Sequence, residues 1–333
     1  MRAPFALVRK CFAKALVKAM APAVVLGLLV AALRPAAAED WPTRPVTIVL
    51  GFAAGQMMDF VARAMAKDMA VTLGQPVLIE LRTGGGGVVA NNHVAKAPAD
   101  GYTLLMAPIG PVVLRPMMDK TVSFELNTEF VPISLVGESP NVLLANPKLG
   151  LKTVKDLVAY AKANGGKISI GHSGAGTLGQ LCGILFSQQA GLDLASVSYR
   201  GTGPMMIDVL SGTLNAGFPA YNPATKQASV LAVTTKQRPD FLPDVPTMKE
   251  SGYDIVGGVW EAIFAPANLP PEIVAKINSA IDSFVRKPET KQLLGDFGFQ
   301  VNGGPPSRLV DQIMQDRAKW AKIIADGNIK AEL

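Results

Sequence analysis

Short apolar runs and segments of helical spacing alternate along most of this chain. The β-branched run Thr47-Ile48-Val49-Leu50 enters the turn Gly51-Phe52-Ala53-Ala54-Gly55, after which Asp59 opens an amphipathic helix. A second strand, Val77 to Leu81, feeds the four-glycine turn Gly84-Gly85-Gly86-Gly87. Further strands are predicted at 102–107, 130–136, 141–145, 167–171, 196–199, 214–218 and 230–234. Between them, 153–164 reads as a helix, with Thr153 three residues before Asp156 as a capping pair and Gly165-Gly166 as its stop. The turn His172-Ser173-Gly174-Ala175-Gly176-Thr177 opens another helix that ends at Ala190 before Gly191, and a short one falls near 204–210. The end is helical: 271–286, a piece around 291–294, and 306–325, where Leu309, Ile313, Trp320 and Ile324 recur at helical spacing.

Such alternation predicts an α/β fold of mostly parallel sheets with helices on both faces. Ligands of open sheets in this class bind beyond the carboxyl ends of the strands, which is where the glycine-rich turns fall. Strand-to-helix turns of this kind also present free N–H groups and positive helix ends to a small anion. Binding by this means needs no catalytic residue.

The first 38 residues break the pattern. Arg2, Arg9, Lys10, Lys14 and Lys18 precede an apolar run from Ala19 to Leu33, and Ala36-Ala37-Ala38 follows it. This is the three-part pattern of a cleavable secretory signal peptide, and its apolar stretch is short of the roughly 20 residues a spanning helix needs. The expected location is therefore the periplasm. Cys11 lies upstream of the apolar run, so it is not placed as a lipid-anchor cysteine.

Removing that segment changes the charge. The full chain has 32 Lys+Arg and 26 Asp+Glu, net +6, but the segment holds six basic residues and no acidic one, so the remainder balances. Neither nucleic acid nor an anionic membrane is implied as a partner. Cys182 is then the one cysteine left, so no internal disulfide is expected and the core must hold the fold.

Enzymatic readings find little support. Gly85-x-Gly87-x-x-Ala90 outlines a dinucleotide fingerprint, but the strand 102–107 ends without the acidic residue that takes the ribose hydroxyls, which leaves a dinucleotide-binding enzyme as a remote alternative. Gly171-His172-Ser173-Gly174-Ala175 has alanine where a nucleophile elbow needs its last glycine. His93, His172 and one cysteine do not make a metal site. No catalytic residue, metal or cofactor is expected.

Four segments carry a resemblance: Trp41-Pro42-Thr43-Arg44-Pro45-Val46-Thr47-Ile48-Val49, Leu73-Gly74-Gln75-Pro76-Val77, Ala99-Asp100-Gly101-Tyr102-Thr103-Leu104-Leu105 and Leu242-Pro243-Asp244-Val245-Pro246-Thr247. With them, 41–333 resembles the solute receptors of tripartite tricarboxylate transporters, the Bug-type periplasmic binding proteins. The resemblance implies a monomeric two-domain Venus flytrap, type II-like, that holds a small carboxylate in an interdomain cleft and presents it to membrane permease subunits. It implies a discontinuous first domain, 39–142 plus 257–333, and a second domain, 143–256. An exported sensor or scavenger of the same fold without a transporter is the alternative.

Carried onto this chain, the first binding loop is Phe52, Ala53, Gly55, Gln56, Met57, Met58 and Asp59. Relatives have a proline, several glycines and a threonine here, so Ala54, Gln56, Met57 and Met58 are departures. The two methionines either pack under the loop or line the cleft against an apolar ligand body, and Asp59 reads better as a helix cap than as a ligand contact. The second-domain loop, Ser173, Gly174, Gly176 and Thr177, keeps the family form, with His172 as a hydrogen-bonded wall residue. Tyr199 and Gly201 flank Arg200, which is expected to be solvated or interdomain.

Two departures remove polar groups: Phe218-Pro219 replaces a Phe-Asp pair, and Ala107-Pro108 stands where relatives often have a hydroxyl. A buried ammonium needs a carboxylate partner, and Asp59 is the only one in the matched loops. The ligand is therefore expected to lack an amino group and to have an apolar or aromatic body.

Overall fold

A computed structural model describes residues 41–327 and Ile329, and the expected signal peptide, 1–38, lies outside the described residues. From Arg44 onward the chain packs as one compact unit built around two sheets. The first sheet contains β1 (Val46–Leu50), β2 (Val77–Leu81), β3 (Thr103–Pro108), β4 (Phe130–Pro140), β10 (Gly258–Pro266) and β11 (Gln300–Val301), in the order β11-β4-β10-β3-β1-β2. The second contains β5 (Val142–Ala145), β6 (Ser169–His172), β7 (Ala195–Ser198), β8 (Ala216–Gly217) and β9 (Ser229–Val233), in the order β7-β6-β8-β5-β9.

The β-branched run at 47–50 forms because β1 is a central strand, parallel to both β2 and β3 and buried on both faces. β6 holds the same place between β7 and β8 in the second sheet. Elsewhere the pairing is antiparallel: β10 against β3 and β4, and β5 against β8 and β9. Both sheets are thus mixed, where the alternation of strands and helices predicts mostly parallel ones. The difference comes from connectivity, because the strands that carry the chain from one sheet to the other run against their neighbours.

Those connections lie side by side. β4 passes through Asn141 into β5, and the return runs from β9 to β10. The buried Thr234 joins them: its Oγ1 accepts the Asn141 N–H at 3.2 Å and donates to the Gly257 carbonyl at 2.6 Å, while its own N–H reaches the Asn141 carbonyl at 2.9 Å. Thr234→Val keeps the shape and removes the hydroxyl, so it is expected to cost about 1–3 kcal/mol, measurable as a lowered urea midpoint at unchanged slope.

The helices follow local signals. α1 (Met57–Leu73) stops at Gly74, which takes the left-handed conformation at φ +70°. α2 (Val88–Ala95) and the short α3 (Arg115–Met118) follow. α4 (Val154–Ala163) has the reciprocal capping box of Thr153 and Asp156 that the spacing predicts. α5 (Leu178–Ala190) and α6 (Thr202–Ser211) cover the second sheet, and α7 (Pro271–Arg286), α8 (Pro288–Asp296) and α9 (Pro306–Asp326) return to the first. α9 buries Leu309, Ile313, Trp320 and Ile324, the stripe its sequence periodicity marks. In the core of the first sheet Phe124 stacks on Phe130 at 4.1 Å between centroids and meets Phe264 edge-on at 5.1 Å. No helix of the described residues is long and apolar enough to cross a membrane.

Candidate functional site

The carboxyl end of β1 opens into the loop 51–56, and α1 begins at Met57 with Gln56 as an extended N-cap whose side chain makes no capping bond. Asp59 holds this loop in place: its Oδ2 accepts the Gly55 N–H at 3.0 Å and its Oδ1 pairs with Arg63 Nε at 2.8 Å. Its two oxygens are thereby engaged, but Asp59 is not the cap that the sequence suggests: α1 begins two residues earlier with Gln56 at the N-cap, and Asp59 fastens the preceding loop from within the first turn.

The facing loop follows β6. Thr177 caps α5, accepting the Gln180 N–H at 3.4 Å and donating to the Gly174 carbonyl at 2.7 Å, while Gln180 Oε1 reaches back to the Gly176 N–H at 2.7 Å. His172 supports the loop from behind, with Nδ1 2.8 Å from the Gly174 carbonyl and Nε2 3.1 Å from Ser196 Oγ. Burial pushes its imidazole below the usual range, so it is neutral near pH 7. Neither nitrogen bonds to Ser173, which leaves the adjacent serine without a base.

Between the two loops lies a partly open cavity of about 50 Å³, room for a few water molecules or a small ligand group. The starts of α1 (Met57, Met58), α5 (Leu178, Gly179) and α6 (Thr202), with the helical turn that begins at Gly110, all reach its wall. The first amides of a helix have no carbonyl partner in their own helix and carry its positive end. Phe52, Pro108, Ile109, Ala220 and Val259 supply apolar wall, and Gln56, Asn141, Ser173, Thr177 and Asn222 supply polar groups. No Lys or Arg is among the lining residues, and Glu261 is the single ionisable one.

Glu261 is 4 % exposed, and its Oε2 is buried with no hydrogen-bond partner. Burial alone pushes its carboxyl up to about 8. It faces the cavity because β10 pairs Glu261 with Pro108 on β3 and Gly137 on β4, which turns Val259 and Glu261 to one side and Trp260 to the other. Trp260 then donates to Asp316 Oδ2 at 2.7 Å on the far face. Gln56, also of the cavity wall, likewise has a buried atom without a partner, its Nε2.

Glycines bring the two sides into contact. A Cβ on Gly86 would stand 2.2 Å from the Ala175 carbonyl oxygen, and one on Gly201 would stand 2.0 Å from Gln56 Nε2. One on Gly176 would meet the Arg115 side chain at 2.4 Å. Arg115 is itself buried and paired with Asp119 at 2.7 Å. The turn that outlines a dinucleotide fingerprint is therefore occupied by the facing loop, with no space for a pyrophosphate.

Of the residues singled out in the sequence, Phe52, Gln56, Met57, Met58, Ser173 and Thr177 line the cavity. Both methionines do so while 5 % exposed. Ala53, Gly55, Gly174 and Gly176 belong to the same two loops without lining it, Asp59 lies in the first turn of α1, and Ala107, Gly201 and Pro219 each precede a lining residue. Three stand elsewhere. His172 faces a separate recess with Gln180 and Ser196. Tyr199 donates its hydroxyl to Asp208 Oδ2 at 2.7 Å, and the Phe218 ring is fully buried against Phe186. The Phe218 carbonyl instead packs on Gly179, where a Cβ would stand 2.2 Å away. Sequence reasoning missed Glu261, Asn141 and Asn222. A lone Glu inside the apolar stretch 259–265 was the available signal for the first.

Known proteins share this fold. A model of the tripartite tricarboxylate transporter family receptor matches residues 61–329. The chain is similar to the periplasmic binding protein BugD, at 31 % identity and TM-score 0.82, covering 88 % of this chain and 100 % of that one. It is similar to Rpa4515 of R. palustris, solved with adipate, at 31 % identity and TM-score 0.83 over the same shares. MatC of Rhodopseudomonas palustris, solved with bound malate, matches at 28 % identity and TM-score 0.80, covering 85 % and 100 %. A cavity walled by helix starts, with no catalytic pair beside it, is what a solute receptor needs, and this chain belongs to the tripartite tricarboxylate transporter receptor family.

Proposed function

We propose that this chain is an exported receptor that captures a small organic carboxylate in the cavity between its two loops and delivers it to a tripartite tricarboxylate-type permease. The observation that carries this reading is the convergence of several helix starts on one cavity that has no cationic side chain. A carboxylate there is stabilised by amides and helix dipoles. The apolar wall, with Met57, Met58 and Phe52, suits an apolar or aromatic ligand body. An amino group is not expected: Asp59 is taken by Arg63 and Gly55, and burial favours the neutral form of Glu261, the one carboxyl in the cavity wall. The charge pattern of residues 1–38 and the similarity to a periplasmic binding protein support export. We further propose two domains, 39–142 with 257–333 and 143–256, that close on the ligand, since closure requires contacts made only in the closed form.

Thermal-shift and calorimetric screening of plain carboxylates beside amino acids tests this. A true ligand at a hundred times its Kd adds about 2.7 kcal/mol of stability, a shift of several degrees. Compaction in small-angle scattering is expected with it. Micromolar binding of aspartate or glutamate, or an unchanged scattering profile at saturation, contradicts the proposal.

A further inference from the structure

Two residues of the cavity wall carry a buried, unpartnered polar atom, Glu261 Oε2 and Gln56 Nε2, the latter packed close to Gly201. Buried polar groups left unpaired are costly and rare, so both call for a partner that enters the cavity. The amide nitrogen of Gln56 can only donate. A carboxyl donates when protonated and accepts when ionised. An ammonium would satisfy an ionised Glu261 and leave Gln56 Nε2 unpaired. An oxygen acceptor satisfies both.

The charges agree. Around the cavity the loop at 52–58, the end of β3, the turn at 109–110, the crossing at Asn141, the loop at 173–179 and β10 place no ionisable side chain other than Glu261. On the neighbouring strand Glu138 packs beside Gly258 and lines the recess on the opposite face. Arg63, on the first helix, is tied to Asp59. The buried Arg115 behind Gly176 is paired with Asp119. With no cation in the cavity wall itself, an ionised Glu261 would repel an anionic ligand, whereas burial favours the carboxyl's neutral form.

We propose that Glu261 binds ligand as the protonated acid and, with Gln56 Nε2, donates to a second oxygen of the ligand, so that the receptor selects carboxylates bearing a further oxygen acceptor over those bearing an ammonium there. This rests on the receptor reading above and adds the chemistry of the ligand's other end.

The test compares matched probes by calorimetry: adipate, 6-aminohexanoate and hexanoate, with succinate, 4-aminobutanoate and butanoate as a shorter set. In at least one set the dicarboxylate is expected to bind at least tenfold tighter than both partners at pH 6.5. Its affinity is expected to fall about tenfold per pH unit above about 8, as the proton is lost. Glu261→Gln retains a donor, so its affinity falls less than tenfold at pH 6.5 and loses the pH dependence. Glu261→Leu loses more than tenfold. An amino or unsubstituted probe that binds as tightly as its dicarboxylate, or a Glu261→Gln variant that titrates as the parent does, overturns the inference and leaves the receptor reading standing. If neither dicarboxylate binds, the inference falls, and the receptor reading is decided by the wider carboxylate screen.

Discussion

Gly86→Ala is expected to weaken ligand binding at least a hundredfold, about 3 kcal/mol, while leaving the fold intact. The added methyl would lie 2.2 Å from the Ala175 carbonyl oxygen, across the contact between the turn 84–87 and the loop 173–177. Both partners are backbone, so neither can rotate away, and the proposed closed form is excluded at this point. Affinity falls in proportion to the closed population that remains available. Gly86 also has φ +64°, which adds a local cost of about 1 kcal/mol for any side chain. Gly85→Ala separates the two effects. Gly85 has φ +58°, but its Cβ would meet only Val88 of its own turn, at 3.4 Å. Gly85→Ala should lose stability and keep affinity, and Gly86→Ala should lose affinity by far more than the shared strain explains. Equal affinity losses in the two variants would remove the contact from the mechanism.

Glu261→Gln is expected to stabilise the unliganded protein progressively as pH rises. The carboxyl is raised from an ordinary value of 4.5 to about 8 by burial, so the folded state keeps its proton where the unfolded chain has lost it. Stability from this group is therefore fully present below about pH 4.5 and is lost as pH rises to about 8. The slope is about 1.4 kcal/mol per pH unit, and the total is about 5 kcal/mol. Glutamine is neutral throughout and has no such slope. Chemical denaturation from pH 5 to pH 9 should show the two proteins diverging and then running parallel above about 8. A constant difference across that range would mean that Glu261 is ionised in the fold. The same proton governs its proposed part in binding.

Much of this architecture is legible in the chain. The β-branched run at 47–50, the Thr153 and Asp156 capping box and the α9 stripe all arise from local signals, and each element forms where its residues point. β10 is different. Its stretch Val-Trp-Glu-Ala-Ile-Phe-Ala has no alternation or helical period to mark it, because it is covered on both faces between β3 and β4. The position of Glu261 depends on that pairing register, which is a tertiary fact. His172, Tyr199 and Phe218 show the converse. They adjoin the cavity in sequence, but strand geometry or core packing turns their side chains to other partners. The candidate loops at 51–56 and 173–177 were legible because each follows a strand and opens a helix, and the second also clusters glycines with Ser173 and Thr177. Which side chains enter the cavity is decided by the approach of Gly86 and Gly201 to the opposite side.

The central claim is that a carboxylate is held by helix starts and not by a cationic side chain. A crystal structure of the receptor with the tightest-binding carboxylate from the screen tests it most directly. The expected result places one carboxylate within about 3 Å of backbone N–H groups at the starts of α1, α5 or α6, with no Lys or Arg in contact. A carboxylate paired with an arginine or lysine, or a ligand bound outside the cavity between the two loops, would contradict it.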